Sequence, residues 1–152
     1  MASAPDKPTP ANEPAATLDE ALAAMSFEVE AGRFALCGFA AAPHAKDLEM
    51  LEGAPGQLTR EGGETSLLIS MERLEELLKR HPQAEVEQGL VWIRFRAAMG
   101  WDVVGFLAKV TGALAQAGIP LGAVCGFSRD HLFVQERYLE KTLSVLEPLF
   151  PS

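Results

Sequence analysis

Apolar positions recur along this chain with a period near 3.6 over some stretches and of 2 over others, and the succession of the two periods predicts its elements. Leu18, Leu22 and Met25 share one helical face behind Thr17, a hydroxyl N-cap with Glu20 three residues on, so a short helix is expected there. "FEVE" alternates like a brief strand, and "RFALCGF" reads as a buried one. "HAKDLEML" offers a weak, short helix, and "EGAPGQ" a loop by its glycine and proline content. "QLTRE" and "TSLLIS" flank "GGE", a hairpin signal because glycines supply the positive φ a tight turn needs. "MERLEELLKR" turns Met71, Leu74, Leu77 and Leu78 inward, pairs Glu75 with Lys79 and Glu76 with Arg80 at i,i+4, and stops at Pro82.

The order then recurs. "LVWIRF" is a strand, and a helix is expected from Asp102 to about Ala117, with Val103, Leu107, Val110, Leu114 and Ala117 as its apolar stripe. Gly112 inside that helix is read as permitting close packing on a sheet, and Gly118 as its C-terminal cap. "LGAVCGF" and "HLFVQ" are strands, and "ERYLEKTLSVLE" is a closing helix ended by Pro148. "LLISMERLEELL" from Leu67 and "LFVQERYLEKTL" from Leu132 superpose, matching Leu74 with Leu139 and Leu78 with Leu143. The fold class that follows is α+β: two ferredoxin-like β-α-β-β-α repeats, each an antiparallel sheet with helices on one face. Residues 1–25 are expected to be a disordered Pro-rich tail and the short helix, with the tail reaching residue 16. Residues 26–89 form the first repeat and 90–148 the second.

Charge narrows the partners. The chain of 152 residues carries a formal net charge of −8, which argues against nucleic acid or an anionic membrane surface. Up to Glu30 six acidic residues stand against one lysine, so most of the excess lies at the start. "MASAPDKPTPANEP" lacks the basic and apolar regions of a secretory signal, and no apolar run approaches the roughly 20 residues of a membrane helix. Cys37 and Cys125 have no metal or redox spacing and each sits in an apolar run, so both read as buried free thiols of a reducing cytoplasm.

"GFSRDHLFVQ" concentrates the candidate chemistry. Asp130 and His131, as neighbours in a strand, point to opposite faces, which is poor geometry for an orienting pair. Ser128 lacks a nucleophile elbow, and His44, His81 and His131 have no metal-ligand spacing. "GAPGQ" lacks the Lys and Ser/Thr of a phosphate loop. No catalytic constellation, metal or cofactor is therefore expected, and the stretch reads as a hairpin turn.

The segment "WDVVGFLAKVTGALAQAGIPLGAVCGFSRDHLFV", with "LTREGGETSLLIS" before it, resembles the ACT-like domains of small tandem proteins, including those of the arginine-sensor (CASTOR) type. The resemblance implies a regulatory fold without chemistry of its own, in which paired domains bind an amino acid in a cleft. Carried onto this chain, the contacts are Gly100, Trp101, Asp102, Val103 and Val104, with Phe127, Ser128 and Asp130 opposite; residues 38–44 are the counterpart in the first repeat. Helix-start amides around Val103 to Gly105 suit an α-carboxylate, and Asp130 or Asp102 an α-ammonium or a basic side chain, although Asp102 equally reads as a plain helix cap. Two functions remain open. One is a regulatory protein with an amino-acid effector, acting as a homo-oligomer or on a protein partner; the other is an assembly module that pairs through ACT-like surfaces and binds nothing small.

Overall fold

The structure, a computed structural model, describes residues 14–53 and 55–151. The first part of the expected Pro-rich tail, residues 1–13, lies outside the described residues. Residues 14–16 are tied down. The Ala15 amide donates to the Ala98 carbonyl at 3.2 Å, and the Ala15 carbonyl accepts from Gly100 at 2.8 Å.

In chain order the elements are α1 (Leu18–Ala24), β1 (Phe27–Val29), β2 (Phe34–Phe39), α2 (Ala45–Glu49), β3 (Gln57–Glu61) and β4 (Glu64–Ser70). They continue with α3 (Leu74–Arg80), β5 (Glu85–Phe95), α4 (Phe106–Gln116), β6 (Gly122–Cys125), β7 (Asp130–Gln135) and α5 (Leu139–Leu146). The fold is mixed α+β, antiparallel and ferredoxin-like, the class the periodicity predicts. The helix behind Thr17 is present, and the Thr17 hydroxyl accepts the Glu20 amide at 3.2 Å.

Spatially the chain divides into two compact units that interleave in sequence. One takes Val29–Trp92 and Phe133–Leu139; the other takes residues 14–28, Ile93–Leu132 and 140–151 among those described. The dividing line falls inside β5 and β7, whereas element order alone sets it between residues 89 and 90. Pairing explains the difference: β1, far upstream, joins β5, and nothing in a strand's own sequence names its neighbour.

In the unit around residues 29–92 the strand order is β3-β4-β2-β5. Antiparallel register runs from Phe34 opposite Ser70 to Phe39 opposite Thr65, and β3 returns on β4 through Gly62 and Gly63, both at positive φ as a two-residue hairpin requires. Alternation decides which side is dry. Ala35, Cys37 and Phe39, with Leu67 and Ile69, pack against Met50, Leu74 and Leu77 from the helices, while Leu36 points the other way and is exposed.

A buried ionic network fastens α2 to the end of α3. The Asp47 carboxylate is fully buried and accepts from the His44 amide at 2.7 Å, from Arg80 Nε at 2.9 Å and from His81 Nε2 at 2.8 Å. The His81 ring stacks on Phe39 with centroids 3.8 Å apart. Burial pushes the Asp47 pKa up, but the bonds from His44, His81 and Arg80 to the charged form outweigh it and hold the carboxyl below its ordinary value.

The other unit orders its strands β6-β7-β5, with β1 also paired to β5. Its core is aromatic. Phe95 meets Phe106 edge to face at 5.1 Å and Phe150 at 5.9 Å, and Phe27 joins Phe150 at 6.0 Å. Val110 and Leu114 of α4 and Leu146 of α5 are fully buried in this unit. Gly112, read as a close-packing residue, is instead exposed, and a Cβ there would meet nothing within 4 Å.

Two stability predictions follow from these contacts. Gly112→Ala should stabilise the protein by about 1 kcal/mol, read as a higher urea midpoint at constant slope, because it restores helix propensity without a clash. Asp47→Ala should cost about 3 kcal/mol by leaving Arg80 without its buried partner. Because the folded-state pKa of Asp47 lies below its unfolded value, its contribution is complete above the unfolded pKa and is lost as pH falls through the folded one. Urea unfolding in acid should accordingly show a wild-type decline toward pH 4 and below that is smaller in Asp47→Ala.

Candidate functional site

The helix expected from Asp102 begins four residues later. Gly105, at a φ of 96°, is the N-cap of α4 and offers no side chain to it. Val103 and Val104, β-branched, precede it in extended or irregular backbone, and the Val103 amide bonds the Gly100 carbonyl at 3.2 Å to close a turn. Asp102 therefore does not cap this helix. The amides of Phe106, Leu107 and Ala108 make up the first turn, with no side chain bonded to them, and the first α-helical backbone bond is from Lys109 to Gly105 at 2.9 Å.

Opposite stands the turn between β6 and β7. The Gly126 amide donates to the Arg129 carbonyl at 2.8 Å, which makes "GFSR" the tight hairpin turn expected of it. The Met99 amide donates to the Ser128 carbonyl at 3.3 Å, and the Ala15 bonds brace residues 98–100 from the other side. These segments, all from one compact unit, enclose a cleft of about 340 Å³.

Of the eight residues singled out from sequence, Gly100, Trp101, Val103, Phe127, Ser128 and Asp130 line this cleft. Asp102 and Val104 do not; both are exposed outside it. Sequence reasoning missed Met99, Phe106, Leu107, Ala108, Cys125 and Arg129. Phe106 to Ala108 became visible only with the true helix start. Arg129 lies in "GFSRDHLFVQ", and its place beside Asp130 is the sequence signal for it.

Arg129 and Asp130 supply the fixed charge of the lining. Arg129 Nε donates to the Arg96 carbonyl at 2.7 Å, which orients the guanidinium and leaves its terminal nitrogens as donors. Glu28 lies close enough to this group to feel it. Its carboxyl is held below the ordinary range first by its hydrogen bond from Arg94, then by the charges of Arg94, Arg96 and Arg129. Asp130 is half-buried, and its carboxylate has no hydrogen-bond or ion-pair partner among the described residues. Burial raises its pKa. Burial also lowers that of His131, with the charges of Arg94 and Arg129 adding to it. Trp101 is 89% exposed and Phe127 wholly so, which leaves two aromatic faces at the mouth.

The corresponding place in the other unit is closed. Arg60 Nη1 bonds the carbonyls of Ala40 and Ala41 at 3.1 and 3.2 Å and the Thr65 hydroxyl at 2.9 Å, while that hydroxyl donates to Ala41 at 2.7 Å. The start of α2 is already capped, the Lys46 amide bonding His44 Nδ1 at 3.1 Å.

Residues 85–148 match the family model of the ACT domain. The ACT-matched segment contains the whole lining of the cleft. Among solved structures, the chain is similar to an Agobacterium tumefaciens protein at a TM-score of 0.68 and 24% identity, covering 82% of this chain and 88% of that one. A Vibrio cholerae protein of unknown function gives 0.65 at 24% identity, over 84% and 91%. The ligand-free regulatory subunit of aspartate kinase from Thermus thermophilus gives 0.63 at 14% identity, over 86% and 99%. These similarities carry the fold. No curated protein matches the sequence. Among the described residues no helix is long and apolar enough to cross a membrane, and no group of three or more His, Cys, Asp or Glu side chains is placed to hold a metal ion.

The two cysteines, both expected to be buried, differ. Cys37 is fully buried and its thiol is pushed up to about 11 by desolvation, whereas Cys125 is exposed on the cleft wall. Treatment of the native protein with a thiol reagent should modify Cys125 alone, and a second equivalent should react only after denaturation. Equal fast reaction of both would contradict the burial of Cys37.

Proposed function

We propose that this chain is a non-catalytic regulatory protein that binds a small amino acid in the cleft between the start of α4 and the turn before β7. The adjacency of a guanidinium and a carboxylate, Arg129 and Asp130, beside uncapped helix amides carries this reading. An amino acid bears an anion and a cation on one carbon. The first-turn amides of α4 and Arg129 suit its α-carboxylate, and the Asp130 carboxylate, which has no partner among the described residues, suits its α-ammonium. The match of residues 85–148 to the ACT domain and the fold shared with an aspartate kinase regulatory subunit support a regulatory role. The internal recurrence from Leu67 and Leu132 supports reading the chain as tandem ACT-like repeats, 26–89 and 90–148, of the small stand-alone type. An oligomer or a regulated protein partner would transmit the binding event, in the cytoplasm.

A second reading, an assembly module without a small ligand, is favoured by one observation. Trp101, Val104 and Phe127 are 89%, 82% and fully exposed, which is apolar surface of the sort that partners cover.

A thermal-shift screen of the twenty amino acids and ornithine separates the two. A ligand present at 100 times its Kd should stabilise the protein by about 2.7 kcal/mol. Titration calorimetry with a hit should give one site per chain, since Arg60 and Thr65 occupy the carbonyls of Ala40 and Ala41 in the counterpart at residues 38–44. Ala108→Trp, which fills the cleft from an exposed position, should weaken binding roughly tenfold or more with the fold retained. No hit, together with sedimentation as an oligomer that Trp101→Ala and Phe127→Ala dissociate, would favour the assembly module.

A further inference from the structure

We propose that the cleft selects a neutral amino acid with an apolar side chain and rejects the basic ones. This inference rests on reading the cleft as an amino-acid site, and it concerns the part of the ligand beyond the α-carbon.

The charges around the cleft decide the class. With Asp102 outside the lining, Asp130 is its only carboxylate and Arg129 its only guanidinium among the described residues. Recognition of the α groups uses both, because the ammonium needs the one and the carboxylate the other. A lysine or arginine ligand would bring a further cation for which the lining holds no second anion, and Arg129 would repel it. Burying such a charge unpaired is unfavourable. Apart from the Ser128 hydroxyl and the Cys125 thiol, the other side chains of the lining are apolar, the large ones being Met99, Trp101, Val103, Phe106, Leu107 and Phe127. The exposed faces of Trp101 and Phe127 would be covered by an aliphatic or aromatic side chain, which removes apolar surface from water. The volume, about 340 Å³, falls in the range of small-molecule sites.

The same aromatic faces attract cations, so a guanidinium stacked on Trp101 is the competing occupant. Geometry weighs against it. Arg129 Nε is fixed on the Arg96 carbonyl at 2.7 Å, which keeps a positive charge on the wall that such a ligand would share. Burial raises the pKa of Asp130, a cost to its charged form that the ammonium of a ligand would offset.

The test is titration calorimetry of the full chain with L-leucine, L-methionine, L-phenylalanine, L-arginine and L-lysine. Two analogues of leucine complete the set: 4-methylpentanoate, which lacks the ammonium, and 3-methylbutylamine, which lacks the carboxylate. At least one of the three neutral amino acids should bind tenfold or more tightly than arginine and lysine, and each analogue should bind about tenfold or more weakly than leucine. Asp130→Asn should abolish the preference for leucine over 4-methylpentanoate, and Arg129→Gln that over 3-methylbutylamine, with melting temperatures confirming that both variants fold. Arginine or lysine binding as tightly as the neutral set, and weakened by Trp101→Ala, would overturn the apolar selection while leaving the amino-acid site standing. Neutral binding insensitive to both Asp130→Asn and Arg129→Gln would also overturn it, since recognition would then lie elsewhere. Failure of all five amino acids to bind would overturn the apolar selection, and the amino-acid reading falls with it only if the screen of the twenty amino acids and ornithine also gives no hit.

Discussion

Strand alternation is the constraint on which the rest depends. A strand sends successive side chains to opposite faces, so an antiparallel sheet offers its helices one apolar side only if each strand keeps its register. In the unit around residues 29–92, Ala35, Cys37 and Phe39 hold that register against Leu67 and Ile69, and the helices close over them. The hairpin through Gly62 and Gly63 fixes the pairing of β3 with β4. Where α2 is too short to hold itself by propensity, a buried carboxylate ties it down: Asp47 bonds its own helix start and the end of α3 at once.

The two helix starts that follow a first strand solve the same problem in opposite ways. Four amides at the beginning of any helix lack a partner within it. At α2, His44 and Asp47 satisfy them locally, and Arg60 with Thr65 binds the carbonyls just before. At α4, Gly105 brings no side chain, and the residues of the first turn line a cleft instead. Polar groups consumed internally in one unit are thus left available in the other. That difference, more than the fold, separates a sealed loop from a candidate site, in line with the general rule that folds are shared and sites are local.

Electrostatics sharpen the contrast. The chain is acidic as a whole, yet the cleft carries one guanidinium and one carboxylate, with Arg94 and Arg96 nearby engaged by Glu28. A half-buried carboxylate beside an exposed guanidinium offers a partner to each charge of a zwitterion, which a field of a single sign would not. The exposed Trp101 and Phe127 add apolar surface at the mouth, which a ligand side chain or a protein partner would cover.

Local rules carried the sequence a long way. The Thr17 cap, the double-glycine hairpin, the α3 face of Leu74 and Leu77 and the turn at "GFSR" each depend on a few adjacent residues, and each is where the pattern places it. Six of the eight residues taken for the site line one cleft, because a loop and a hairpin at the same edge of an antiparallel sheet must meet. What escaped was non-local or hinged on one backbone angle. The positive φ of Gly105 delays α4 to Phe106, which takes Asp102 off the helix start and brings Phe106, Leu107 and Ala108 to the cleft. The joining of β1 to β5, the exposure of Gly112 and Cys125, and the backbone bonds from Ala15 to Ala98 and Gly100 depend on which distant segment arrives alongside. Periodicity and turn chemistry are properties of neighbours along the chain, so the sequence by itself determined the elements and the fold class. Strand partnership and the burial of a particular side chain are properties of neighbours in space, and only the tertiary structure decided those.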